Sequence, residues 1–237
     1  MWILAVPFLV LCSLWMLKYN IFHLGSHRRP EESITTAVLK CFPILYLALI
    51  VKYTAAVDSE HAEYREWLFR GLIASMGGDF CLVWFKTLFL PGVFFFGTAH
   101  VFYIMAFQML PIGPTSCWTP FLLYYLLMST VILPRLPSVP MKVAVGVYVG
   151  IICCMGWRAA VMYYQHEDTP SAVGLWGALI FIVSDTLIAM SSWVMKNRIP
   201  KSTFLIMTTY YLGQALLATS VLLPAIHTLK TKKFMHL

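Results

Sequence analysis

Ala178 to Met190 reads ALIFIVSDTLIAM, an apolar run of helical composition with one carboxylate, Asp185, near its middle. A charge held in hydrocarbon costs roughly 2.5–3.5 kcal/mol on insertion scales, so such a residue usually faces a bundle interior and finds a partner there. Within the run its only polar neighbours are Ser184 and Thr186. The partner therefore comes from elsewhere in the chain. One other stretch has the same character: Ala74 to Trp84, ASMGGDFCLVW, with Asp79.

Composition fixes the class. The 237 residues are 60% hydrophobic and 11% charged, against about 25% charged in soluble domains. The charges cluster between long apolar runs, the pattern of a polytopic membrane protein. A net charge of +7 points to nucleic acid only when it gathers on one basic face. Here the basic residues lie mostly in short loops and in the tail with Lys230, Lys232 and Lys233, where they suit anionic headgroups. No nucleic-acid partner is expected. Cysteines 12, 41, 81, 153 and 154 lie within apolar runs and Cys117 beside one, which is neither a disulfide framework nor zinc spacing. The run Trp2 to Leu17 lacks a basic leader and a small-residue cleavage site, so it is expected to be a first membrane helix.

The fold class is all-α: a compact bundle of about eight transmembrane helices in a single domain over 1–237. The segments are about 2–19, 34–57, 67–86, 90–109, 118–134, 141–164, 172–195 and 203–224, followed by a short basic tail over 225–237. Four of the breaks have a visible cause. His27-Arg28-Arg29-Pro30-Glu31-Glu32 is too polar to cross, and Asp58 to Glu66 holds four acids. Pro111-Ile112-Gly113-Pro114 and Pro134-Arg135-Leu136-Pro137 break helices. Gly71, Ser75 and Gly78, like Gly174 and Ala178, repeat at the spacing that lets helix backbones approach closely. Basic residues divide almost evenly between the two faces, which leaves orientation open.

Eight alternating spans allow a comparison of depth. Measured from the face that bears loops one, three, five and seven, Lys40 is six residues in and Asp79 seven. His100 is ten in, Asp185 eleven, and Tyr210, Tyr211 and Gln214 are seven, eight and eleven in. At 1.5 Å per residue all fall roughly 9–17 Å below one face. Polar residues scattered for packing have no reason to agree in this way. Lys40 also has the option of snorkelling to the interface. His100, with Tyr103 one turn on, has the option of a hydrogen-bonded core role. Arg158, near the far end of segment six, is expected to snorkel.

Two carboxylates buried together resist ionising at once, so one keeps its proton and the pair supplies a general acid beside a general base. No Gly-x-Ser-x-Gly, zinc-type His cluster or phosphate-binding glycine loop accompanies them. The residues point to an intramembrane di-carboxylate site, hydrolytic on a lipid.

These residues also resemble those of the YhhN-type lysoplasmalogenase family. The matching runs are Leu39-Lys40-Cys41-Phe42-Pro43, Gly78-Asp79, Gly97-Thr98-Ala99-His100-Val101-Phe102-Tyr103 and Gly156-Trp157-Arg158. Further on are Gly177-Ala178-Leu179-Ile180-Phe181 with Ser184-Asp185, and Met207-Thr208-Thr209-Tyr210-Tyr211 with Gln214. The resemblance implies hydrolysis of the vinyl-ether bond of a lysophospholipid by water, giving a fatty aldehyde and glycerophosphoethanolamine or glycerophosphocholine. It implies an endoplasmic reticulum membrane and no metal or organic cofactor. Asp79 and Asp185 would be acid and base in an order left open. Lys40, Tyr210 or Tyr211 would hold the phosphate, and His100, Tyr103 and Gln214 would order water or the carboxylates. Oligomeric state is open. Two other classes fit buried carboxylates: a lipid transporter or lipid-binding protein, and an intramembrane aspartyl protease. The second lacks a Pro-Ala-Leu motif in this chain.

Overall fold

Short polar residues start helices where the apolar runs begin. In the computed structural model, Ser33, Asp58, Ser138 and Asp168 each accept a hydrogen bond from a backbone N–H three residues on, satisfying a donor that the first helical turn leaves unpaired. Pro140 and Pro170 follow the last two caps, at positions where no helical N–H is lost. The structure describes residues 2–18, 31–109, 111–196 and 198–235. The polar break at His27, Arg28 and Arg29 lies outside them, as do the side chains of Lys230, Lys232 and Lys233.

The resulting helices are α1 (Trp2–Lys18), α2 (Ile34–Tyr53), α3 (Ser59–Val83), α4 (Phe85–Ala106), α5 (Thr115–Ile132), α6 (Val139–His166), α7 (Thr169–Ala189) and α8 (Ser202–Met235). Among the described residues there is no strand. A 3₁₀ turn over Leu133–Arg135 follows α5, and α7 runs into a π-helical turn over Met190–Val194. The chain is a multi-pass integral membrane protein. Among the described residues, six stretches are long and apolar enough to cross a bilayer: Ile34–Tyr53, Phe85–Ala106, Thr115–Arg135, Val139–His166, Thr169–Val194 and Ser202–Ile226. The expected segments 2–19 and 67–86 fall on α1, which is shorter, and on α3, which opens with Glu60, Glu63, Arg65 and Glu66. The last helix continues past Pro224 to Met235.

α3 and α4 form a tight antiparallel hairpin whose bend is Trp84 with a further non-helical residue at Leu88. α7 and α8 form the other principal pair. α2 and α6 flank these pairs, and α5 sits at the periphery against α6. Far from the hairpin bend, α3 is tied to α8 by hydrogen bonds from Tyr64 to Ser220 (2.6 Å) and from His61 to the Val221 carbonyl (2.8 Å).

Small residues decide how close the pairs come. Gly71 and Gly78 lie under the rings of Tyr103 and Phe96, which occupy the space a Cβ would take. Between α7 and α8 the approach is backbone to backbone. A Cβ on Gly213 would stand 3.2 Å from both the Gly177 carbonyl oxygen and the Phe181 nitrogen. Backbone inside a helix has little freedom to yield, and overfilling a packed site costs about 1–3 kcal/mol. Gly213→Leu is expected to lower the unfolding midpoint in detergent, at a cost of about 3 kcal/mol. Gly146→Ala, whose Cβ would have nothing nearer than 3.6 Å, is expected to leave the midpoint unchanged or raise it. Comparable midpoints for the two variants would refute this account of the α7–α8 contact.

Candidate active site

Asp79 is buried in the α3 face that meets α2 and α8, with 1% of its side chain exposed. A carboxylate there needs donors for both oxygens. Lys40 on α2 brings its ammonium to 3.0 Å from Oδ1. Tyr210 on α8 donates to Oδ2 at 2.6 Å. Behind Tyr210 the donors are aligned in one direction. Gln214 Nε2 donates to the Tyr210 oxygen at 3.4 Å, and Tyr103 on α4 donates to Gln214 Oε1 at 2.8 Å. Ser75 lies 3.3 Å from the Tyr103 oxygen and, because that phenol's one proton is already given away, Ser75 is the donor. The chain Ser75–Tyr103–Gln214–Tyr210 thus ends on Asp79 with every proton pointing toward the carboxylate. This orientation fixes the amide of Gln214 and makes Asp79 an acceptor on both sides.

Asp185 has a different set of donors. Tyr148 on α6 donates to Oδ2. His100 on α4 places Nε2 2.9 Å from the Tyr148 oxygen and 3.8 Å from Asp185 Oδ2. With the phenol proton committed to Asp185, Nε2–H is the donor to Tyr148. His100 is fully buried, and its Nδ1 has no hydrogen-bond partner among the described residues. Asp185 itself is 17% exposed and lines a cavity of about 70 Å³ between α4, α5, α6 and α7. Its Oδ1 carries no hydrogen bond to a described residue. At the next position of α7, Thr186 meets Tyr124 of α5 at 2.5 Å.

Each carboxylate therefore finds its own partners rather than the other carboxylate. What the two clusters share is an aromatic centre. The Phe181 ring lies 5.4 Å from Tyr210 and 4.7 Å from His100, edge to face with both. The Phe96 ring lies 5.9 Å from Tyr210 and 6.3 Å from Phe181, and it also lines the Asp185 cavity. The structure brings Lys40, Asp79, Tyr103, Tyr210 and Gln214 into one hydrogen-bonded group, and His100 with Asp185 into the other. Tyr211 stands beside the first group, donating to the Lys40 carbonyl at 3.1 Å. That bond fixes α2 against α8 and commits its only proton.

Sequence reasoning passed over Tyr148, Phe96 and Phe181. A signal existed for Tyr148, which lies seven residues into segment six from the same reference face and so shares the depth of the others. Phe96 and Phe181 carry no polar signal. Arg158 does not snorkel to solvent: it is 4% exposed and donates to the carbonyl of Gln108 at 2.6 and 3.1 Å and of Pro111 at 3.5 Å. These carbonyls lie just past the end of α4, where the chain leaves the helix and backbone acceptors stand open. Among the described residues, no group of three or more His, Cys, Asp or Glu is placed to hold a metal ion.

Removing one member of a buried ion pair leaves the other uncompensated and costs about 3–5 kcal/mol. Lys40→Met is expected to destabilise the protein by about 3 kcal/mol. Lys40→Met combined with Asp79→Leu should recover part of that loss, because no unpaired charge remains. Thermal unfolding in detergent reads both, and a double variant as unstable as the summed singles would argue against the pairing.

The YhhN family model matches residues 35–221 of the chain. Lysoplasmalogenase TMEM86B of Rattus norvegicus is 34% identical over 222 residues, covering 91% of this chain and 82% of the relative. Lysoplasmalogenase TMEM86A of Bos taurus is 36% identical over 197 residues, covering 80% and 79%. Lysoplasmalogenase TMEM86B of Homo sapiens is 32% identical over 195 residues, covering 81% and 79%. No solved structure matches the chain.

Proposed function

The chain belongs to the YhhN family, and on that premise we propose that it is a lysoplasmalogenase, a hydrolase that adds water across the vinyl ether of a lysophospholipid and releases a fatty aldehyde. The membrane we assign to it is the endoplasmic reticulum. The observation that carries the chemistry is the contrast between its two buried carboxylates. Asp79 has both oxygens occupied and is closed off. Asp185 has one oxygen occupied and lines a cavity.

Vinyl-ether hydrolysis begins with proton transfer to the carbon distal to the ether oxygen, which creates an oxocarbenium ion. Asp185 is the acid in this reading, because its carboxyl reaches the cavity. Having given up that proton, its carboxylate takes one from the water that adds to the cation. The hemiacetal then collapses to aldehyde and glycerophospho-alcohol as Asp185 gives its proton to the departing oxygen and takes the hemiacetal hydroxyl proton in exchange, ending the cycle protonated. Protons balance over the cycle, and the net reaction consumes one water. Asp79, bonded to Lys40 and Tyr210, holds the Lys40 ammonium and the α8 phenol in place and takes no part in the proton transfer. Lys40 keeps N–H donors beyond the one given to Asp79 and holds the phosphate. Tyr148 and His100 hold the Asp185 carboxyl in place, while Tyr103 and Gln214 do the same for Asp79 through Tyr210.

Purified protein in detergent, given lysoplasmalogen, is expected to release aldehyde, a product that neither transport nor lipid binding makes. Positioned proton transfer contributes about 10²–10⁴-fold, so Asp185→Asn should lower kcat by at least about 10²-fold while the unfolding midpoint stays near that of the parent. Tyr148→Phe keeps the ring and loses the bond to Asp185, and is expected to lower kcat by about tenfold, roughly the worth of one hydrogen bond. A folded Asp185→Asn protein with full turnover would refute the mechanism.

A further inference from the structure

Two cavities meet in the half of the bundle that holds the α3–α4 bend and the α7–α8 connection. The first, of about 110 Å³, is lined by Lys40 together with hydroxyl side chains that include Thr36, Ser191, Ser192, Ser202 and Thr203. Lys40 is the one charged side chain among the described residues that line it. The second is the cavity of about 70 Å³ that contains Asp185, and its remaining wall is mainly apolar, with Val93, Val149 and Trp193 among the contributors. Leu82 and Ile188 line both. They form a two-residue partition: on one side a cation and hydroxyls set among apolar side chains such as Trp15, Phe85 and Met207, on the other a more uniformly apolar wall with one carboxylate. The π-helical turn that ends α7 serves both cavities at once. It presents Ser191 and Ser192 to the first and Trp193 to the second. Such turns recur at functional sites because the extra residue re-aims the side chains around it.

A cavity that holds a cation and several hydroxyls, beside one that is more apolar, is complementary to an amphiphile with an anionic head and a single chain. We infer that the substrate binds across the Leu82–Ile188 partition, with its phosphodiester in the hydroxyl-lined cavity beside Lys40 and the start of its alkenyl chain in the apolar cavity beside Asp185. This rests on the lysoplasmalogenase reading and adds an orientation to it. In a lysoplasmalogen the vinyl ether is the link between the glycerophosphate and the chain, so a substrate held in this way carries its reacting bond over the partition, next to Asp185. Thr36, Ser191, Ser192, Ser202 and Thr203 then become recognition residues for a phosphodiester, and Val93, Val149 and Trp193 for hydrocarbon.

The test compares two substrates: a lysoplasmalogen and the corresponding 1-alkenylglycerol, which has the same vinyl ether and no phosphate. Its readout is the ratio of their kcat/KM values. Thr203 is half-buried on the rim of the first cavity. Thr203→Glu should lower the ratio about tenfold and Thr203→Lys should raise it, since a unit charge near a partly desolvated anion is worth about 1 kcal/mol or more. A structural disturbance at that position would move the two variants in the same direction. If Thr203 variants fail to fold, the Ser192→Glu and Ser192→Lys pair makes the same reading. Val93→Trp fills the second cavity, and should reduce kcat/KM for both substrates while changing their ratio by less than about twofold, because its site holds the part that the substrates share. Ratios that move together in the Glu and Lys variants, or do not move, overturn the orientation, as does a Val93→Trp protein with parental kcat/KM. Aldehyde from neither substrate with the parent protein would overturn the lysoplasmalogenase reading itself.

Discussion

The Lys40–Asp79 ion pair, 3.0 Å long and closed away from solvent on the aspartate side, is the contact on which the arrangement of the site depends. It joins α2 to α3 at the depth where neither charge is affordable alone. The second oxygen of the same carboxylate receives Tyr210 from α8, and Tyr211 from the next position holds the carbonyl of Lys40 itself. Three helices are therefore registered against one another by a carboxylate, an ammonium and two phenols. Because Gln214 and Tyr103 extend the same set of donors to α4, rotating any of these helices would strand a buried polar group. A group left in that state costs about 1–3 kcal/mol, and the cost would recur at several positions together.

The depth comparison read the polar ring well because it rests on a physical regularity: polar groups meet only if they share a level in the bilayer. It placed Lys40, Asp79, His100, Asp185, Tyr210 and Gln214 at one level, and the structure gathers them into two hydrogen-bonded groups. It passed over Tyr148 because a lone phenol between Val147 and Val149 reads as another apolar residue until something is known to be opposite it. Arg158 was misread for a related reason. A single cation near a helix end ordinarily snorkels, but here the backbone carbonyls of Gln108 and Pro111 bind it inside the protein, and carbonyls are not visible in a side-chain code. The bend at Trp84 contains none of the residues that usually mark a turn, which is why the expected segment 67–86 runs past it.

What no polar pattern reveals is the aromatic centre. Phe96 and Phe181 stand among other large apolar residues in their runs, and nothing in their spacing sets them apart. Their positions follow from small residues on the facing helices. Gly78 leaves room for Phe96, and the close approach at Gly177 and Gly213 brings Phe181 against the α8 backbone. From there the two rings touch both Tyr210 and His100, directly or through each other. An apolar centre between two acceptor groups limits the paths by which water could join them, and a reaction that proceeds through an oxocarbenium ion gains from having water reach it only from one direction.

Taken as chemistry, the arrangement departs from a symmetric carboxylate dyad. In a dyad two acids share one proton because neither has a better partner, and their proton affinities are split by mutual repulsion. Here a lysine and a phenol satisfy Asp79, and a phenol backed by an imidazole meets only half of Asp185. The inequality is therefore set by the neighbours. Asp79 has both oxygens bonded to donors, one of them cationic, while Asp185 keeps one oxygen free in a mainly apolar cavity. Two identical side chains thus stand in different surroundings, one enclosed by donors and one open to a cavity, and the difference lies in Lys40, Tyr148 and the cavity wall rather than in the aspartates.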